Sequence, residues 1–316
     1  MIKLPHCHYP KATDSHAHGL QRLPDQLPLL DLTRAQPYRS STFSVSPIES
    51  FSHEQVLELI RIMATSFVLN EPMNRHMIPC RNPPQVIQES TFLNLYGESS
   101  FGEWQKESIF QWIIRLLVFD QLKDRLDRNV SDNFSRQLSL AILDDHGKII
   151  GGALSIRFLA GSSGNAPDSE NMFSKVLIGV MQPIVDMLTN QEESSIPALS
   201  DKYPEFQKAL IEGKVGELFM IARSPLLPTE DTFELVAASM QRFSDLGYHY
   251  VLTAAANQWT GAAFETIGGV RVHFAPYRAK KTVKESLEPL PNETSTKDGF
   301  LSAKDSGCMF YIIRLK

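Results

Sequence analysis

Cysteine is scarce in this chain, and its three copies lie far apart. Cys7, Cys80 and Cys308 are odd in number, and none has a neighbour at the spacing of a metal-binding pair. Isolated thiols of this kind are typical of proteins that work in a reducing compartment. The sequence therefore predicts reduced cysteines, no disulfide framework and a cytoplasmic location.

Long apolar runs and an excess of positive charge are also lacking. No uninterrupted apolar stretch reaches the roughly 20 residues that a membrane-spanning helix needs. The formal net charge is -5, whereas nucleic acids and anionic membrane surfaces bind clusters of positive charge. We therefore expect neither nucleic acid nor membrane as a partner. The sequence has no feature that specifies an oligomeric state.

The chain is long enough to bury a sizeable core, with 316 residues of which 42% are hydrophobic. Residues 1–40 mix prolines and polar residues without a steady hydrophobic period, which predicts a loosely ordered extension. A single domain is then expected over residues 41–316. Two histidine pairs in the extension suggest a metal site, but such a site needs further ligands at matching spacing. We expect no metal.

Residues 215–274 show the clearest pattern in the chain, with three strand-like segments separated by two helical ones. Residues 218–222 are a continuous apolar run, and residues 248–253 form a second segment of the kind found in strands that are buried on both faces. The segment between them has apolar residues at helical spacing and ends at Gly247, a typical helix stop. Two parallel strands joined by a helix form a right-handed crossover unit. The pattern therefore predicts an α/β fold of the α+β type with parallel strands at its centre.

Crossover units bind ligands just beyond the carboxyl ends of their strands. In this chain that edge lies at residues 222–224 and 254–256. Ahead of the central strand, residues 137–158 have the alternation and turn residues of a β-hairpin. A mainly helical insertion is predicted over residues 160–212, with a polar linker at 190–199.

Asn257, Phe264 and Gly268 precede the third strand of this pattern at spacings of seven and four residues. This order resembles the Asn…Tyr…Gly-Phe pattern of the GNAT superfamily of acyl-CoA N-acyltransferases. The resemblance implies a mixed sheet, splayed at its centre and flanked by helices, with a helical insertion before the central strand. It also implies acetyl-CoA as co-substrate and a contact between Asn257 and its pantetheine arm. Alternatively, Asn257 caps the helix that follows.

The end of the central strand has a corresponding role in that family. The resemblance implies that backbone groups of Met220, Ile221, Ala222 and Arg223 hold the thioester carbonyl and the pantetheine amides. Thr229 lies in the next loop, which would face the diphosphate at the N-terminus of a helix. These residues, with Asn257 and Phe264, form the predicted cofactor site.

The diphosphate loop departs from the family pattern. Residues 224–232 contain no glycine, two prolines and the acidic pair Glu230 and Asp231. Glycines let backbone N–H groups wrap a phosphate, whereas proline has no N–H group to donate. The two acids suit a helix N-terminus but repel a diphosphate placed there. The sequence therefore predicts weak acetyl-CoA binding.

Phe264 is a second departure, because many family members have at this position a tyrosine that protonates the departing thiolate. Phenylalanine has no proton to donate. Tyr277, Tyr248 and His249 are the alternative donors, provided that the fold brings one of them to the site.

Asn70-Glu71-Pro72-Met73 follows a predicted helix that ends near Phe67. The stretch looks like the Asp/Asn-Glu-Pro-Leu/Met segment of arylalkylamine-type GNAT acetyltransferases, in which the glutamate takes a proton from the amine. The resemblance implies that Glu71 is the general base. The alternative is that Glu71 only occupies a turn before Pro72, which restricts the preceding backbone.

Two hypotheses of function follow. The first is an acyl-CoA-dependent N-acyltransferase that acts on a small amine, with N-acetyltransferase as the favoured activity. Transfer would be direct, in a ternary complex, because no cysteine is expected near the site to carry the acyl group. The second is a catalytically inactive GNAT-fold protein that binds a ligand or partner, favoured by the altered loop and by Phe264.

Overall fold

The computed structural model describes residues 19–34, 43–70, 118–119, 122–123, 134–158, 172–223, 231–256, 258–277 and 307–316 of the chain. Its strands are β1 (Gly19–Leu20), β2 (Ser44–Pro47), β3 (Leu140–Leu143), β4 (Ile149–Arg157), β5 (Val215–Arg223), β6 (Tyr250–Ala255), β7 (Val270–Pro276) and β8 (Gly307–Arg314). Its helices are α1 (His53–Asn70), α2 (Phe134–Leu138), α3 (Met172–Lys202), α4 (Pro204–Ile211), α5 (Asp231–Asp245) and α6 (Gln258–Thr266).

All eight strands form one mixed sheet in the order β1-β7-β8-β6-β5-β4-β3-β2. Among the strand pairs that the structure describes, β5 and β6 are parallel and the others are antiparallel. The last strand, β8, lies between β6 and β7, so the end of the chain completes the sheet. This topology confirms the predicted mixed α/β architecture.

Helices cover both faces of the sheet, so that an apolar layer lies on each side of it. Side chains alternate along β8: Cys308 and Phe310 pack on one face, and Met309 and Tyr311 pack on the other. Helices α1, α3 and α4 contribute to the first layer, and α2, α5 and α6 contribute to the second. A residue's position along a strand therefore decides which layer it joins.

Short local signals in the sequence correspond to hydrogen bonds in the structure. At the start of α1 the backbone N–H of Ser52 donates to Gln55 Oε1 at 2.9 Å, and the N–H of Gln55 donates to Ser52 Oγ at 3.3 Å. In the β3–β4 hairpin the N–H of Lys148 donates to Asp144 Oδ1 at 2.8 Å. Gly247 follows α5 with φ of 82°, a left-handed conformation that favours glycine.

The predicted linker at residues 190–199 is wrong, because α3 runs without interruption from Met172 to Lys202. The polar residues of this stretch resemble a linker in sequence, but Gln191 and Ser195 are buried at helical spacing. The buried side chains of this helix include Ile184, Met187, Gln191, Ser195 and Leu199. Their spacing of three or four residues is that of one continuous buried face.

Residues 19–34 pack against the sheet, although they fall within the region that the sequence predicts as an extension. β1 pairs with β7, and Leu27 is 4% exposed. Lys202 Nζ donates to the Leu23 carbonyl at 2.6 Å, and the Tyr203 hydroxyl donates to the Pro24 carbonyl. These bonds hold the segment against the junction of α3 and α4. The histidine pairs of the extension lie outside the described residues.

Candidate functional site

The central strands β5 and β6 separate part of the way along their length. Their pairing ends where Leu218 lies opposite Thr253. Beyond this pair β5 stays with β4 as far as Arg223, whereas β6 stays with β8 as far as Ala255. The gap between residues 219–223 of β5 and the carboxyl end of β6 is called the fork below. It confirms the splayed sheet that the sequence predicts.

A β-bulge bends β5 at the start of the fork. The register between β4 and β5 shifts, so that Leu154 lies opposite Met220 and Ser155 lies opposite Leu218. Between these two pairs β5 therefore has one more residue than β4, Phe219. Because a bulge bends its strand and increases the local twist, it turns β5 away from β6 at this point.

Thr253 ties the two strands together at the last residue pair that they share. Its Oγ1 donates a hydrogen bond of 2.8 Å to the Leu218 carbonyl oxygen, and both residues are buried. The strands are thus held together on one side of this point and are separate on the other. The bond defines the closed end of the fork.

Backbone groups line the fork beyond this point. In an antiparallel pair every second residue directs its N–H and C=O groups away from its partner strand. On β5 those groups point away from β4 and into the fork. An extended ligand with amide groups can hydrogen-bond there as an additional strand would.

The fork opens beside an apolar cluster, called the fork-side cluster below. On β5, Met220 and Ala222 contribute to it, whereas Ile221 packs in the opposite layer. Its other buried members come from α1 and the turn before it, α3, β3, β4, residues 118 and 122, the ends of β6 and β7 and the start of β8: Ile48, Val56, Leu59, Ile60, Met63, Ala64, Phe67, Val118, Leu122, Ala141, Ile149, Leu154, Ile184, Met187, Ala256, Tyr277 and Cys308. A bound group at the mouth of the fork would meet mainly hydrocarbon.

Tyr277 is the one of the three candidate proton donors that lies at this site. Its hydroxyl donates a hydrogen bond of 2.6 Å to the carbonyl of Ala256, the residue just after β6. Tyr248 and His249 precede the other end of the same strand, where the His249 N–H donates to the Lys214 carbonyl. Only Tyr277, of these three, therefore lies at the open end of the fork.

Phe264 packs in the layer opposite the fork-side cluster. It is 0% exposed, and its ring centroid lies 5.6 Å from that of Tyr311. The Tyr311 hydroxyl donates to Glu265 Oε1 at 2.8 Å. Burial, reinforced by the neighbouring Glu265 carboxyl group, raises the pKa of Tyr311 above its usual range. Both rings are thus integral parts of the core.

Three predicted site residues, Glu71, Thr229 and Asn257, lie outside the described residues, and Arg223 is described as the last residue of β5. Their chain neighbours are described. Glu71 directly follows α1, in which Phe67 joins the fork-side cluster. The other two lie in the connections from β5 to α5 and from β6 to α6.

The structure also places a cysteine at the site, contrary to the expectation from sequence. Cys308 is 0% exposed and belongs to the fork-side cluster. It is the residue of β8 next to Met309, which pairs with Ala255 at the end of β6. The separation of 52 residues along the chain between Ala256 and Cys308 concealed this proximity. It arises because β8 returns to pair with β6.

A buried polar group lies next to Cys308. Gln191 Nε2 donates to the Cys308 carbonyl at 2.9 Å and lies 3.5 Å from His273 Nδ1. Burial lowers the pKa of His273. Gln191 Oε1 and Ser195 Oγ are buried without a hydrogen-bond partner in the described part of the chain. Sequence analysis missed this group because it assigned both α3 residues to a linker.

No helix in the described residues is long and apolar enough to cross a membrane. Within the same residues, no group of three or more histidines, cysteines and carboxylates is arranged to hold a metal ion.

No protein-family profile and no curated protein sequence matches this chain. Solved structures do. The C-terminal condensation domain of Ebony, in complex with beta-alanyl-dopamine, is 14% identical, with a TM-score of 0.50 over 86% of this chain and 99% of that one. Polyamine N-acetyltransferase of Drosophila melanogaster is 13% identical, with a TM-score of 0.47 over 86% and 100%. Arylalkylamine N-acetyltransferase 2 from Aedes aegypti is 14% identical, with a TM-score of 0.41 over 87% and 99%. The chain has the GNAT fold.

Proposed function

We propose that this protein is an acyl-CoA-dependent N-acyltransferase, and specifically an N-acetyltransferase, that transfers the acyl group directly to a small amine. The observation that carries the proposal is the fork between β5 and β6. It separates the backbone edges of the two strands beside a largely apolar cluster, which suits a flexible amide-bearing arm that ends in a thioester.

The fork fits the pantetheine arm of acetyl-CoA better than the following loop fits the diphosphate. In our proposal, backbone groups of Met220, Ile221, Ala222 and Arg223 bond the pantetheine amides and the thioester carbonyl. Residues 224–230 lead directly into α5, which begins at Asp231. The N-terminus of a helix favours a phosphate, but Glu230 and the two prolines work against it. We therefore expect specific but weak binding of the co-substrate.

Glu71 is the proposed general base, and three considerations support the assignment. It resembles the glutamate of arylalkylamine-type acetyltransferases in its local sequence. It directly follows α1, and Phe67 on the last turns of that helix packs in the fork-side cluster. A carboxylate there would take a proton from the ammonium form of the amine, which cannot attack a thioester while protonated.

The proposed reaction proceeds without an acyl-enzyme intermediate. The neutral amine attacks the thioester carbonyl, a C–N bond forms and the C–S bond breaks. The proton from the ammonium passes to the base and then to solvent. The nitrogen gives up a second proton as the amide forms, and the thiolate takes up a proton and leaves as CoA. Cys308 lies in the fork-side cluster, where a thiol could accept the acyl group, but its side chain is fully buried. A nucleophile needs access to the thioester, which argues for direct transfer.

A second candidate function is a catalytically inactive GNAT-fold protein that binds a ligand or partner. The observation that favours it is Phe264, which is locked in the core against Tyr311 and has no proton to donate. The absence of glycine from residues 224–232 points the same way.

One pair of measurements separates the two candidates. Thermal unfolding of the purified chain is followed with increasing acetyl-CoA, since a ligand at 100 times its Kd stabilises a protein by about 2.7 kcal/mol. Acetyl-CoA is then incubated with a panel of small arylalkyl and alkyl amines, and both free CoA thiol and N-acetylated product are measured. Product above the uncatalysed rate supports the enzyme. A thermal shift without product for any amine supports the binding protein. If neither a shift nor a product is seen, acetyl-CoA is neither the co-substrate of an enzyme nor the ligand of a binding protein.

A further inference from the structure

Direct acyl transfer leaves a thiolate at the fork, and the proposed reaction needs a group that gives it a proton. Phe264 has none, and its ring is buried in the layer opposite the fork-side cluster. The following inference rests on the proposed function, because it asks which residue takes that role.

The described tyrosines can be sorted by where their hydroxyl groups lie. The Tyr203 hydroxyl bonds the Pro24 carbonyl, and the Tyr311 hydroxyl bonds Glu265 in the opposite layer. Tyr248 and Tyr250 lie at the start of β6, away from the open end of the fork, and burial raises the pKa of each. The Tyr277 hydroxyl bonds the Ala256 carbonyl at the carboxyl end of β6.

We propose that Tyr277 is the proton donor to the departing thiolate. As the C–S bond breaks, its electron pair stays on sulfur and takes the phenolic proton of Tyr277. The phenolate is then reprotonated from solvent, or by the second proton that leaves nitrogen as the amide forms, and the base releases to solvent the proton that it removed from the ammonium. The products are the N-acylated amine and the CoA thiol, with the enzyme unchanged.

The position of Tyr277 is set by two independent contacts. Ala275 of β7 lies opposite Cys308. Side chains two residues apart on a strand face the same side, so Tyr277 faces the same side as Ala275 and packs in the fork-side cluster. Its hydroxyl is bonded to Ala256, the residue that joins β6 to the connection containing Asn257. The donor is therefore held at the edge of the fork before any ligand binds.

The chemistry of the bond to Ala256 suits transfer at the right moment. The Ala256 carbonyl is a neutral acceptor, and so is the sulfur of an intact thioester. A thiolate is charged, and hydrogen bonds to charged acceptors are roughly twice as strong as neutral ones. The hydroxyl thus gains by turning from Ala256 to sulfur only as charge develops, and such an interaction accelerates the chemical step.

The test compares Tyr277→Phe with Tyr203→Phe. Each substitution removes a buried tyrosine hydroxyl that bonds a backbone carbonyl, but Tyr203 bonds Pro24 and packs with residues at the start of β5 and β6. For the full chain with acetyl-CoA and its best amine, Tyr277→Phe should lower kcat by about 10²-fold or more, the usual worth of a positioned acid. The Kd for acetyl-CoA should stay within about twofold, because the ground state loses no bond to the ligand. Tyr203→Phe should leave kcat unchanged.

The pH profile supplies the decisive readout. A phenol can donate a proton only while it is protonated, so the wild-type kcat should fall at alkaline pH and Tyr277→Phe should lack that fall. A fluorinated tyrosine inserted at position 277 preserves the hydroxyl and the shape of the ring while making the phenol more acidic. The alkaline fall should then move to lower pH, even where Tyr277→Phe folds poorly.

Three distinct results would overturn the inference. An active wild type whose kcat and alkaline fall survive both changes at position 277 removes Tyr277 from catalysis and leaves the proposed function intact. A wild type that acetylates no amine removes the proposed function and this role with it. Equal losses of kcat in Tyr277→Phe and Tyr203→Phe would also contradict a specific role for Tyr277.

Discussion

The Thr253 hydroxyl donates a hydrogen bond of 2.8 Å to the Leu218 carbonyl at the last residue pair that β5 and β6 share. A side chain of one parallel strand thus binds the backbone of the other at the point where they part. The bulge at Phe219 turns β5 away directly beyond it. The fork has a closed end because the hydrogen bond holds β5 to β6 at Leu218, whereas the bulge turns β5 away from β6 at the next residue.

Thr253→Val should weaken that closed end while preserving the shape of the side chain. The Leu218 carbonyl loses a buried donor, which should lower the free energy of unfolding by about 1–3 kcal/mol. The Kd for acetyl-CoA should rise, whereas Thr253→Ser, which retains the hydroxyl, should change it little. Urea unfolding and calorimetric titration measure the two effects.

Ser239→Ala is the matched control for Thr253→Val. Ser239 is also buried, and its Oγ donates to the Leu235 carbonyl at 2.8 Å within α5. This variant should lose stability without a change in acetyl-CoA affinity. Equal changes of affinity in Thr253→Val and Ser239→Ala would show that general stability, and not the closed end of the fork, controls binding.

Glu71→Gln should lower kcat by about 10²- to 10⁴-fold, because glutamine preserves size and hydrogen bonding but cannot accept the ammonium proton. Acetyl-CoA affinity should barely change, since the base does not bind the co-substrate. Steady-state kinetics and calorimetry measure both. Glu58→Gln on α1 is the control, since Glu58 only pairs with Arg61 on a partly exposed face. An unchanged kcat together with a changed melting temperature would make Glu71 structural.

Replacing both Glu230 and Asp231 by glycine should tighten acetyl-CoA binding, measured by calorimetry. Two charges at a helix N-terminus are each worth about 0.3–1 kcal/mol, which together corresponds to roughly 3- to 30-fold in Kd. The double change to glutamine and asparagine separates the causes, because it removes charge without adding backbone freedom. An unchanged Kd in both variants would place the diphosphate elsewhere or exclude acetyl-CoA as the ligand.

The Cys308→Ser variant should retain amine acetylation, and intact-mass measurement of the wild type with acetyl-CoA alone should detect no acetylated protein. Both outcomes follow from direct transfer and from the complete burial of the Cys308 side chain. A lost kcat together with an acetyl adduct on Cys308 would instead establish a covalent intermediate.

His273 should make stability depend on pH below its ordinary pKa of 6.5. Burial lowers the pKa of His273 in the folded protein, so the unfolded chain binds more protons between the two pKa values. Stability is therefore complete above about pH 6.5 and falls as the pH drops through the folded pKa. Protonation would also turn Nδ1 into a donor facing the Gln191 Nε2 donor, 3.5 Å away.

Urea unfolding at pH 5 to 8 checks this prediction, with His273→Asn expected to have the smaller pH dependence. His146→Asn is the control, because the His146 side chain is 84% exposed in a turn. The same slope in wild type and His273→Asn would show that other groups account for the dependence.

Sequence alone determined the elements whose cause is local. The strands on either side of α5 follow from largely apolar runs, and α5 from helical spacing that ends at Gly247. The bonds between Ser52 and Gln55 span three residues and needed no tertiary information. The fold class could be predicted because these local patterns, together with the handedness of a crossover, allow few topologies.

Tertiary structure decided the contents of the site. Helix α3 is continuous because the sheet buries Gln191 and Ser195, and sequence periodicity counts such residues as exposed. Tyr277 reaches Ala256 across 21 residues, and Cys308 arrives with β8 from still further along the chain. Sequence periodicity identifies which residues face inward but not which distant residues they meet. Strand order, register and the bulge at Phe219 decide that, because each moves entire rows of side chains relative to one another.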